Sequence, residues 1–267
     1  MTFKERYGDT ALVAGASEGL GAAYANALAA RGLNLVLIAR RKQQLEETAT
    51  QISKQHNVNV VPIVCDLAET NVIKRLQPYI GDININFLVY NAASSYIGPF
   101  LSTGLSTHKN IASVNMLTQL EMLYYFGGKM AEKHRGGIVI MTSIAGLQGS
   151  GYLSTYAATK AFSRGLAEGL WYEWKPKGID VIACCAGAIA TPNYIATKPG
   201  KAGWLEPLPQ LPEKVVEECL NKIGKKPFFI SGTGNKLAVF IMQNIFSKQK
   251  AVRVMGDSMK KMYRIAD

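Results

Sequence analysis

Apolar and polar positions alternate in blocks along the first two-thirds of the chain. Six short runs of 4 to 8 residues are rich in β-branched side chains and are apolar on both faces, as strands covered by helices on two sides are. Stretches with helical spacing fill the gaps between them. This alternation predicts an α/β fold on a parallel sheet with right-handed crossovers.

The boundaries follow from where each run begins and ends. The predicted strands are Thr10–Ala14, Leu33–Ile38, Val58–Val64, Ile85–Tyr90, Gly137–Ser143 and Ile179–Cys185. The predicted helices are Leu20–Arg31, Lys42–His56, Thr70–Tyr79, Ile111–His134 and Ser154–Lys175.

The pattern changes after Cys185. Residues 190–212 are punctuated by proline and glycine, so we expect a lid or a binding loop there. The remainder predicts a helix Pro212–Ile223, a strand Pro227–Ile230 and a helix Asn235–Phe246. These elements extend the sheet and do not form a second domain. We therefore predict one domain over residues 1–267, with a substrate loop at 190–224 and a basic C-terminal helix and tail at 235–267.

Composition narrows the class of protein. Apolar residues make up 48% of the chain and charged residues 18%, which is globular composition. The four cysteines show no CxxC spacing and no histidine cluster accompanies them, so we expect neither disulfides nor a metal site. The polar N-terminus and the lack of an apolar run long enough to span a bilayer predict a cytoplasmic protein without a signal peptide.

The net charge of +11 is uneven along the chain, because residues 198–267 hold 13 Lys and Arg against 6 Asp and Glu. A basic C-terminal region suits either an ordinary solvated surface or an anionic partner. The helix Asn235–Phe246 has two corresponding interpretations. It packs on the core or in a dimer, or it rests on anionic lipid as a peripheral contact. We expect no nucleic-acid partner.

The first strand runs into a glycine-rich turn, Gly15-Ala16-Ser17-Glu18-Gly19-Leu20-Gly21, before a helix begins. Such glycines let the backbone approach a pyrophosphate, whose charge lies at the free N–H groups of the helix N-terminus. The spacing is GxxxGxG, and on its own it also suits a turn that only packs closely.

The second strand ends in Ile38-Ala39-Arg40-Arg41-Lys42, with no acidic residue before Glu46. An acidic residue at this point would accept hydrogen bonds from a ribose 2′-hydroxyl, whereas arginine accommodates a 2′-phosphate. Arg40 and Arg41 therefore predict NADP(H) as the cofactor, with an exposed basic helix start as the alternative.

Tyr156 and Lys160 lie one turn apart on a predicted helix that Ser154 would cap. A lysine ammonium beside a phenol lowers the phenol pKa from about 10, so the tyrosine can exchange a proton with a carbonyl or alcohol oxygen. Ser143, at the end of the fifth strand, would hydrogen-bond the same oxygen. A YxxxK pair alone is common on exposed helices, so its meaning depends on the other motifs.

Taken together, these motifs resemble the short-chain dehydrogenase/reductase family over essentially the whole chain. The residues that carry the resemblance, in the family's order, are Gly15–Gly21, Asp66, Asn91-Ala92-Ala93, Asn115, Ser143, Tyr156 with Lys160, and Gly187 through Thr191. The resemblance implies a Rossmann-type, doubly wound parallel sheet in three layers. It also implies a homodimer or homotetramer that pairs through the long helices of Asn115 and Tyr156.

The resemblance further implies a role for each matching residue. Tyr156 is the general acid/base, Lys160 lowers its pKa and holds the nicotinamide ribose, Ser143 positions the substrate oxygen, and Asn115 holds a water of a proton relay. The implied cofactor contacts are Gly15, Ser17, Glu18, Gly19, Leu20, Gly21, Arg40, Arg41, Asp66, Leu67, Asn91, Ala92, Ala93, Gly187, Ile189 and Thr191.

Two positions depart from the family's usual pattern. Asn-Ala-Gly is here Asn91-Ala92-Ala93, which adds a methyl group near the cofactor, and Pro-Gly is here Ala186-Gly187, which frees a backbone dihedral. We expect altered cofactor affinity with the chemistry intact.

The substrate walls should come from segments after the fourth, fifth and sixth strands. The candidate lining residues are Tyr96, Ile144, Leu147, Tyr152, Tyr194 and Trp204. They are mostly apolar, which favours a mid-sized lipophilic ketone, aldehyde or secondary alcohol, unless these side chains pack on the core or on another subunit. The hypothesis is an NADP(H)-dependent carbonyl reductase. The alternatives are a 3-oxoacyl-thioester reductase and a non-catalytic NADP(H)-binding sensor or scaffold.

Overall fold

One parallel sheet organises the computed structural model, which describes residues 1–81, 83–197 and 208–265. Its strands are β1 (Thr10–Ala14), β2 (Asn34–Ala39), β3 (Val60–Val64), β4 (Phe87–Tyr90), β5 (Gly136–Ser143), β6 (Ile179–Ala186) and β7 (Phe228–Ile230). The order across the sheet is β3-β2-β1-β4-β5-β6-β7. Strand order therefore reverses between β1 and β4, the position at which open α/β sheets bind ligands.

Helices cover both faces of this sheet. They are α1 (Phe3–Tyr7), α2 (Gly19–Ala29), α3 (Lys42–His56), α4 (Val72–Ile80), α5 (Leu105–Ala112), α6 (Thr118–Glu132), α7 (Ser154–Trp174), α8 (Pro192–Thr197), α9 (Pro212–Leu220), α10 (Thr233–Phe240) and α11 (Lys248–Met262). Side chains of α2, α3 and α9 join one core, and those of α4, α6 and α7 join the other. The predicted three-layer, doubly wound α/β architecture is confirmed.

The alternation of side chains explains why the central strands read as apolar throughout. In β1, Ala11 and Val13 point into the first core, while Leu12 and Ala14 point into the second. All four are fully buried. A strand between two helical layers has no solvent face and needs apolar residues at every position.

The predicted elements are found with boundaries shifted by a few residues, apart from three corrections. The helix predicted to begin at Ile111 begins at Leu105, and a π-helical turn, Ser113–Leu117, interrupts it. Ser154 is the first residue of α7 and not its cap, because Leu153 holds the cap position without a side-chain hydrogen bond. The basic tail contains a regular helix, α11, that sequence periodicity did not reveal.

The helix predicted over Asn235–Phe246 corresponds to α10 and a following π-helical turn, Ile241–Ile245. Val239 and Met242 are buried, but Leu237, Phe240 and Ile245 are exposed. One side of this segment therefore packs on the domain and the other faces outward.

A cluster of charges joins three elements at the amino end of β6. The Asp180 carboxylate accepts hydrogen bonds from Arg6 at 2.6 and 3.1 Å, from the Tyr7 hydroxyl at 3.0 Å and from Lys175 at 2.8 Å. Burial raises the pKa of Asp180, but the bonds from Lys175 and Arg6 outweigh it and hold that pKa below its usual value. The cluster ties α1 and the end of α7 to the sheet.

The two outer strands are poor partners for further strands. β3 carries Pro62, which has no backbone N–H to donate, and pairs only with β2 on its inner side. At the other edge β7 has only three residues and pairs with β6 through Ala183–Cys185.

Candidate active site

A cleft of about 970 Å³ opens at the carboxyl ends of β1, β4, β5 and β6. Its floor consists of the segments that follow those strands: the glycine turn, Asn91–Ser95, Ser143–Ala145 and Gly187–Ile189. Because the carboxyl ends of parallel strands meet at one edge of the sheet, the predicted motifs come together although they are far apart in sequence.

The three glycines of the turn lie too close to neighbouring atoms for a side chain to fit at their positions. A methyl group at Gly21 would collide with the Gly15 carbonyl oxygen and would lie 2.8 Å from the Asn91 amide nitrogen. That amide donates a hydrogen bond to the same Gly15 oxygen at 2.9 Å. The turn is thus held against the end of β4 and leaves a cradle at the N-terminus of α2 that suits a diphosphate.

Arg41 and Arg40 differ in their surroundings, although both line the cleft. Arg41 forms an ion pair with Glu18 at 2.7 Å and donates to the Ser17 hydroxyl at 3.2 Å. Its hydrogen bond lowers the pKa of Glu18, whose carboxylate also accepts from Gln44 at 3.0 Å. Arg40 is exposed and has no ion-pair partner among residues 1–81, 83–197 and 208–265.

Tyr156 and Lys160 face the cleft from the first turns of α7. The helix lies close to the turn that follows Ser143: a methyl group at Gly146 would be 2.7 Å from the backbone of Lys160 and Ala161. The Lys160 ammonium lies 5.5 Å from the centre of the Tyr156 ring and donates to the Met141 carbonyl at 2.9 Å. Lys160 is buried, with 3% of its surface exposed.

The pKa values of these two groups differ from the sequence-based expectation. Burial raises the pKa of Tyr156 to about 12, although the neighbouring Ser143 hydroxyl lowers it. Burial also lowers the pKa of Lys160 from 10.5 to about 8. Burial therefore dominates the pKa of both groups in this geometry, and the expected lowering of the Tyr156 pKa by Lys160 is not seen.

Asn115 lies in the π-helical turn between α5 and α6. Its amide donates to the Ser94 carbonyl and to the Thr159 hydroxyl, both at 2.9 Å, and its oxygen accepts from the Ser94 N–H at 2.8 Å. Thr159 in turn donates to the Tyr156 carbonyl at 2.8 Å. The Asn115 side chain thus connects the segment after β4 to α7, and both of its N–H groups are occupied. π-Turns of this kind are frequent at functional sites.

The wall opposite α7 comes from the segment after β6. A methyl group at Gly19 would lie 2.8 Å from the Thr191 methyl carbon, so Thr191 lies directly against the glycine turn. The Thr191 hydroxyl accepts from the Tyr194 N–H at 3.2 Å at the start of α8. Gly187, Ile189 and Thr191 all line the cleft, as does Asp66 across from them.

Comparison with known proteins agrees with this arrangement. The sequence family described as short chain dehydrogenase matches residues 9–201, which include the glycine turn, Ser143, Tyr156 and Lys160. The chain belongs to the short-chain dehydrogenase family. It is therefore an oxidoreductase of a family that acts on CH–OH or C=O groups and binds NAD(P).

Two curated relatives and one solved structure extend the comparison. The 7beta-hydroxysteroid dehydrogenase of Clostridium sardiniense is 30% identical over 236 residues, which cover 88% of this chain and 90% of that protein. The very-long-chain 3-oxoacyl-CoA reductase of Anas platyrhynchos is 31% identical over 258 residues, 95% and 80% of the two chains. A solved 7beta-hydroxysteroid dehydrogenase is 27% identical, covers 96% of this chain and 99% of its own, and matches with a TM-score of 0.90.

Most of the residues predicted for this short-chain dehydrogenase lie in the one cleft. Those that line it are Gly15, Ser17, Glu18, Gly19, Leu20, Arg40, Arg41, Asp66, Leu67, Asn91, Ala92, Ala93, Ser143, Ile144, Tyr156, Lys160, Gly187, Ile189, Thr191 and Tyr194. Gly21 and Asn115 do not line the cleft themselves but contact residues that do. Ala93, one of the two departures from the family pattern, faces the cleft, whereas the other, Ala186, is nearly buried at its base.

Three of the predicted substrate contacts lie elsewhere. Tyr96 and Tyr152 line a small separate recess beside His108, whose ring nitrogens bond Thr155 at 2.8 Å and the Phe100 carbonyl at 2.9 Å. Leu147 lies in the turn after Ser143 but is not part of the cleft lining. Trp204 falls outside the described residues.

The main contribution that sequence reasoning missed comes from the C-terminal helices. Residues of α10, α11 and the turns that follow them complete the cleft; they are Ala238, Val239, Met242, Val254, Met255, Asp257, Ser258, Met259, Lys261, Met262 and Tyr263. Gln148, between β5 and α7, is a further missed lining residue. No residue type among them forms a catalytic motif, so only the packing of the chain reveals them.

Among residues 1–81, 83–197 and 208–265, no cluster of three His, Cys, Asp or Glu side chains is arranged to hold a metal ion. No helix in this part of the chain is long and apolar enough to cross a membrane. The four cysteines are buried and unpaired.

Proposed function

We propose that this short-chain dehydrogenase transfers hydride between NADP(H) and a bulky lipophilic ketone or secondary alcohol, with Tyr156 as general acid/base. The observation that carries the proposal is the placement of Tyr156, Ser143 and buried Lys160 at the foot of one cleft, opposite the glycine turn. A phenol, a hydroxyl and an ammonium around one point can hold and protonate a carbonyl oxygen.

The cleft residues fit a dinucleotide that carries a 2′-phosphate. The turn around Gly21 would hold the diphosphate, and Arg40, exposed at the end of β2 without an acidic neighbour in its ion-pair range, would bind the 2′-phosphate with Arg41. The bound cofactor supplies the hydride, which protein side chains cannot. Lys160 and Thr191, which line the cleft, would hold its nicotinamide half, and Asn91 would contact the region between adenosine and nicotinamide.

The proton side of the reaction is assigned to residues of this chain. Because the pKa of Tyr156 is raised to about 12, its phenol stays protonated at neutral pH and is suited to donate to a carbonyl oxygen. Ser143 would hydrogen-bond the same oxygen and hold it beside the phenol.

Two substrate classes follow from the relatives. The lining of Met242, Met255, Met259 and Met262 is broad and apolar, which suits a steroid-sized ring system such as that named for the hydroxysteroid relative. The second candidate is a long-chain 3-oxoacyl thioester, which the similarity to the acyl-CoA reductase favours. Reduction assays with a steroid ketone and with a 3-oxoacyl-CoA, each with NADPH, distinguish them.

The Tyr156→Phe variant tests whether the site is catalytic. Removal of the phenol oxygen should lower kcat by about 10²- to 10⁴-fold, the usual contribution of a general acid. Binding of NADPH, followed by nicotinamide fluorescence, should stay within about threefold of the wild-type value because the cradle is untouched. Unchanged turnover would exclude Tyr156 as the acid, and a wild-type protein that binds NADPH but reduces no carbonyl would favour the sensor alternative.

The same titration, repeated with NADH, tests the cofactor preference. NADPH should bind at least about tenfold more tightly, a difference of about 1.4 kcal/mol. Equal or tighter binding of NADH would overturn the assignment of Arg40 and Arg41.

We further propose that copies of this chain pair through α6 and α7. Leu117, at the N-cap of α6, and Tyr124 on α6 are 60% and 87% exposed, and Tyr172 on α7 is 78% exposed. Large exposed apolar side chains on adjacent helices mark interaction surfaces. Sedimentation velocity measures the association directly.

Because the thiols are unpaired, we expect the protein to work in a reducing compartment such as the cytoplasm.

A further inference from the structure

The helix α11 is held against the segment between Ser143 and Tyr156. A methyl group at Gly149 would lie 3.5 Å from Val252, and one at Gly151 would lie 3.4 Å from the Cα of Gly256. The preceding turn adds a hydrogen bond from the Gln243 amide to the Leu147 carbonyl at 3.3 Å. The C-terminal helices therefore rest on residues 147–151, the segment that contains Gln148.

One face of α11 turns three methionines toward the cleft. Met255, Met259 and Met262 lie at helical spacing and line it together with Met242 from the turn after α10. Methionine is unbranched and polarizable, so a surface of several methionines adapts to apolar bodies of different shape. Asp257 and Lys261 also line the cleft and carry opposite charges.

Gln148 brings a polar side chain to this part of the cleft. It lines the cleft, but its Oε1 atom is buried and has no hydrogen-bond partner among the described residues. A buried amide oxygen without a partner costs stability, and an apolar side chain of similar size would avoid that cost. An unpaired amide in a binding cleft is instead suited to a hydrogen bond with a ligand.

We propose that Gln148 and the methionines of α11 form a recognition subsite for a second polar group on a lipophilic substrate. The substrate class is a bulky ketone or secondary alcohol that carries a further hydroxyl, remote from the reacting carbon. The apolar body packs on Met255, Met259 and Met262, and the Gln148 carboxamide bonds the remote hydroxyl. This inference rests on the proposed function and names its substrate more closely.

The test compares two steroid ketones that differ only in one hydroxyl group remote from the carbonyl. The wild-type enzyme should reduce the hydroxylated ketone with a kcat/KM about tenfold or more above that of its partner, because a site built for a hydroxyl discriminates against its absence. Gln148→Leu should remove that preference by lowering kcat/KM for the hydroxylated ketone alone. Its melting temperature should equal or exceed the wild-type value, because the unpaired amide is gone.

Gln243→Leu is the matched control. It removes the same side chain from the same neighbourhood, but Gln243 does not line the cleft. This variant should change kcat/KM for the two ketones by the same factor. Equal effects of Gln148→Leu on both ketones, or a lower melting temperature, would overturn the proposal and make Gln148 a structural residue.

Binding of each ketone in the presence of NADP⁺, which has no hydride to transfer, is measured by thermal shift and repeats the comparison without turnover. If neither ketone is reduced but the hydroxylated one binds more tightly through Gln148, the proposed function fails and the subsite stands. If both are reduced and Gln148→Leu leaves their ratio unchanged, the subsite fails and the proposed function stands.

Discussion

A buried charge at the amino edge of the sheet, where the parallel strands begin, and one at the carboxyl edge, where they end, have opposite surroundings. At the amino edge, Asp180 receives hydrogen bonds from Arg6, Tyr7 and Lys175, so its charge is compensated several times. At the carboxyl edge, Lys160 is equally buried but donates to a single backbone carbonyl, that of Met141. Salt bridges at the first edge stabilise the fold, whereas the isolated cation at the second destabilises it and remains available to a reacting group.

The pKa values report the same contrast. The partners of Asp180 hold its pKa below the usual value despite burial, so its charged form is favoured. Burial brings the pKa of Lys160 down to about 8, so its charged form is disfavoured. Substitutions that remove each charge should therefore affect stability in opposite directions.

The largest effect is expected for Lys160→Met. Turnover should fall by about 10²- to 10⁴-fold because the phenolate that Tyr156 becomes on giving up its proton loses the cation beside it. The free energy of unfolding, measured by urea denaturation at pH 7, should be unchanged or higher because an uncompensated buried charge is removed. A loss of stability together with activity would show that Lys160 supports the fold and would break the comparison.

Asp180→Asn should produce the converse result. Its amide keeps the shape of the side chain but leaves Arg6 and Lys175 without a negative partner. Since those two side chains are 42% and 48% exposed, water compensates them in part, and we expect a loss of about 2–3 kcal/mol in unfolding free energy. Below its unfolding transition, the variant should retain wild-type kcat. A selective loss of kcat would show that the amino edge takes part in the chemistry.

The pH dependence of stability sharpens the contrast. A carboxylate whose pKa is lower in the folded state stabilises the fold above its unfolded pKa of about 3.9, and this contribution disappears as the pH falls through the folded value. Wild-type stability should therefore decrease between about pH 5 and pH 2, and the difference between wild type and Asp180→Asn should shrink over that range. Urea midpoints at several pH values measure both, and a constant difference would contradict the assignment to Asp180.

The smallest effect is expected where an ion pair borders the cofactor cradle. Glu18→Gln removes one negative charge next to the proposed 2′-phosphate site and frees Arg41, which is 56% exposed and so weakly held. NADPH should bind about three- to fivefold more tightly, and NADH should bind as before. Fluorescence titration at low and high salt checks this, since the gain should decline with salt. Weaker NADPH binding would mean that Glu18 is needed to orient Arg41.

Much of the fold was predictable because its causes are local. The strands are short runs without a polar face, and α3 was predicted with the boundaries it has, Lys42–His56. That the proposed catalytic and cofactor residues lie together was predictable because their motifs occur in a fixed order, and strand order then gathers them at one edge of the sheet.

What sequence reasoning missed depends on contacts between distant segments. In α11 only Ala251, Met259 and Met262 are buried, and lysines and an arginine surround them, so the segment reads as a solvated tail. Its role in the cleft depends on Gly149 and Gly151, about a hundred residues earlier in the chain. The pKa of Tyr156 was misjudged for the same reason, because its burial by the surrounding cleft does not show in a YxxxK spacing.

The outer strands have a consequence for how copies of the chain can meet. Pro62 interrupts the row of hydrogen-bond donors on β3, and β7 offers a partner only three residues. Both rims are therefore poor templates for the strand-to-strand growth that leads to fibrils and aggregates. The sheet can thus present reactive groups at one end while offering little edge backbone that other chains could join.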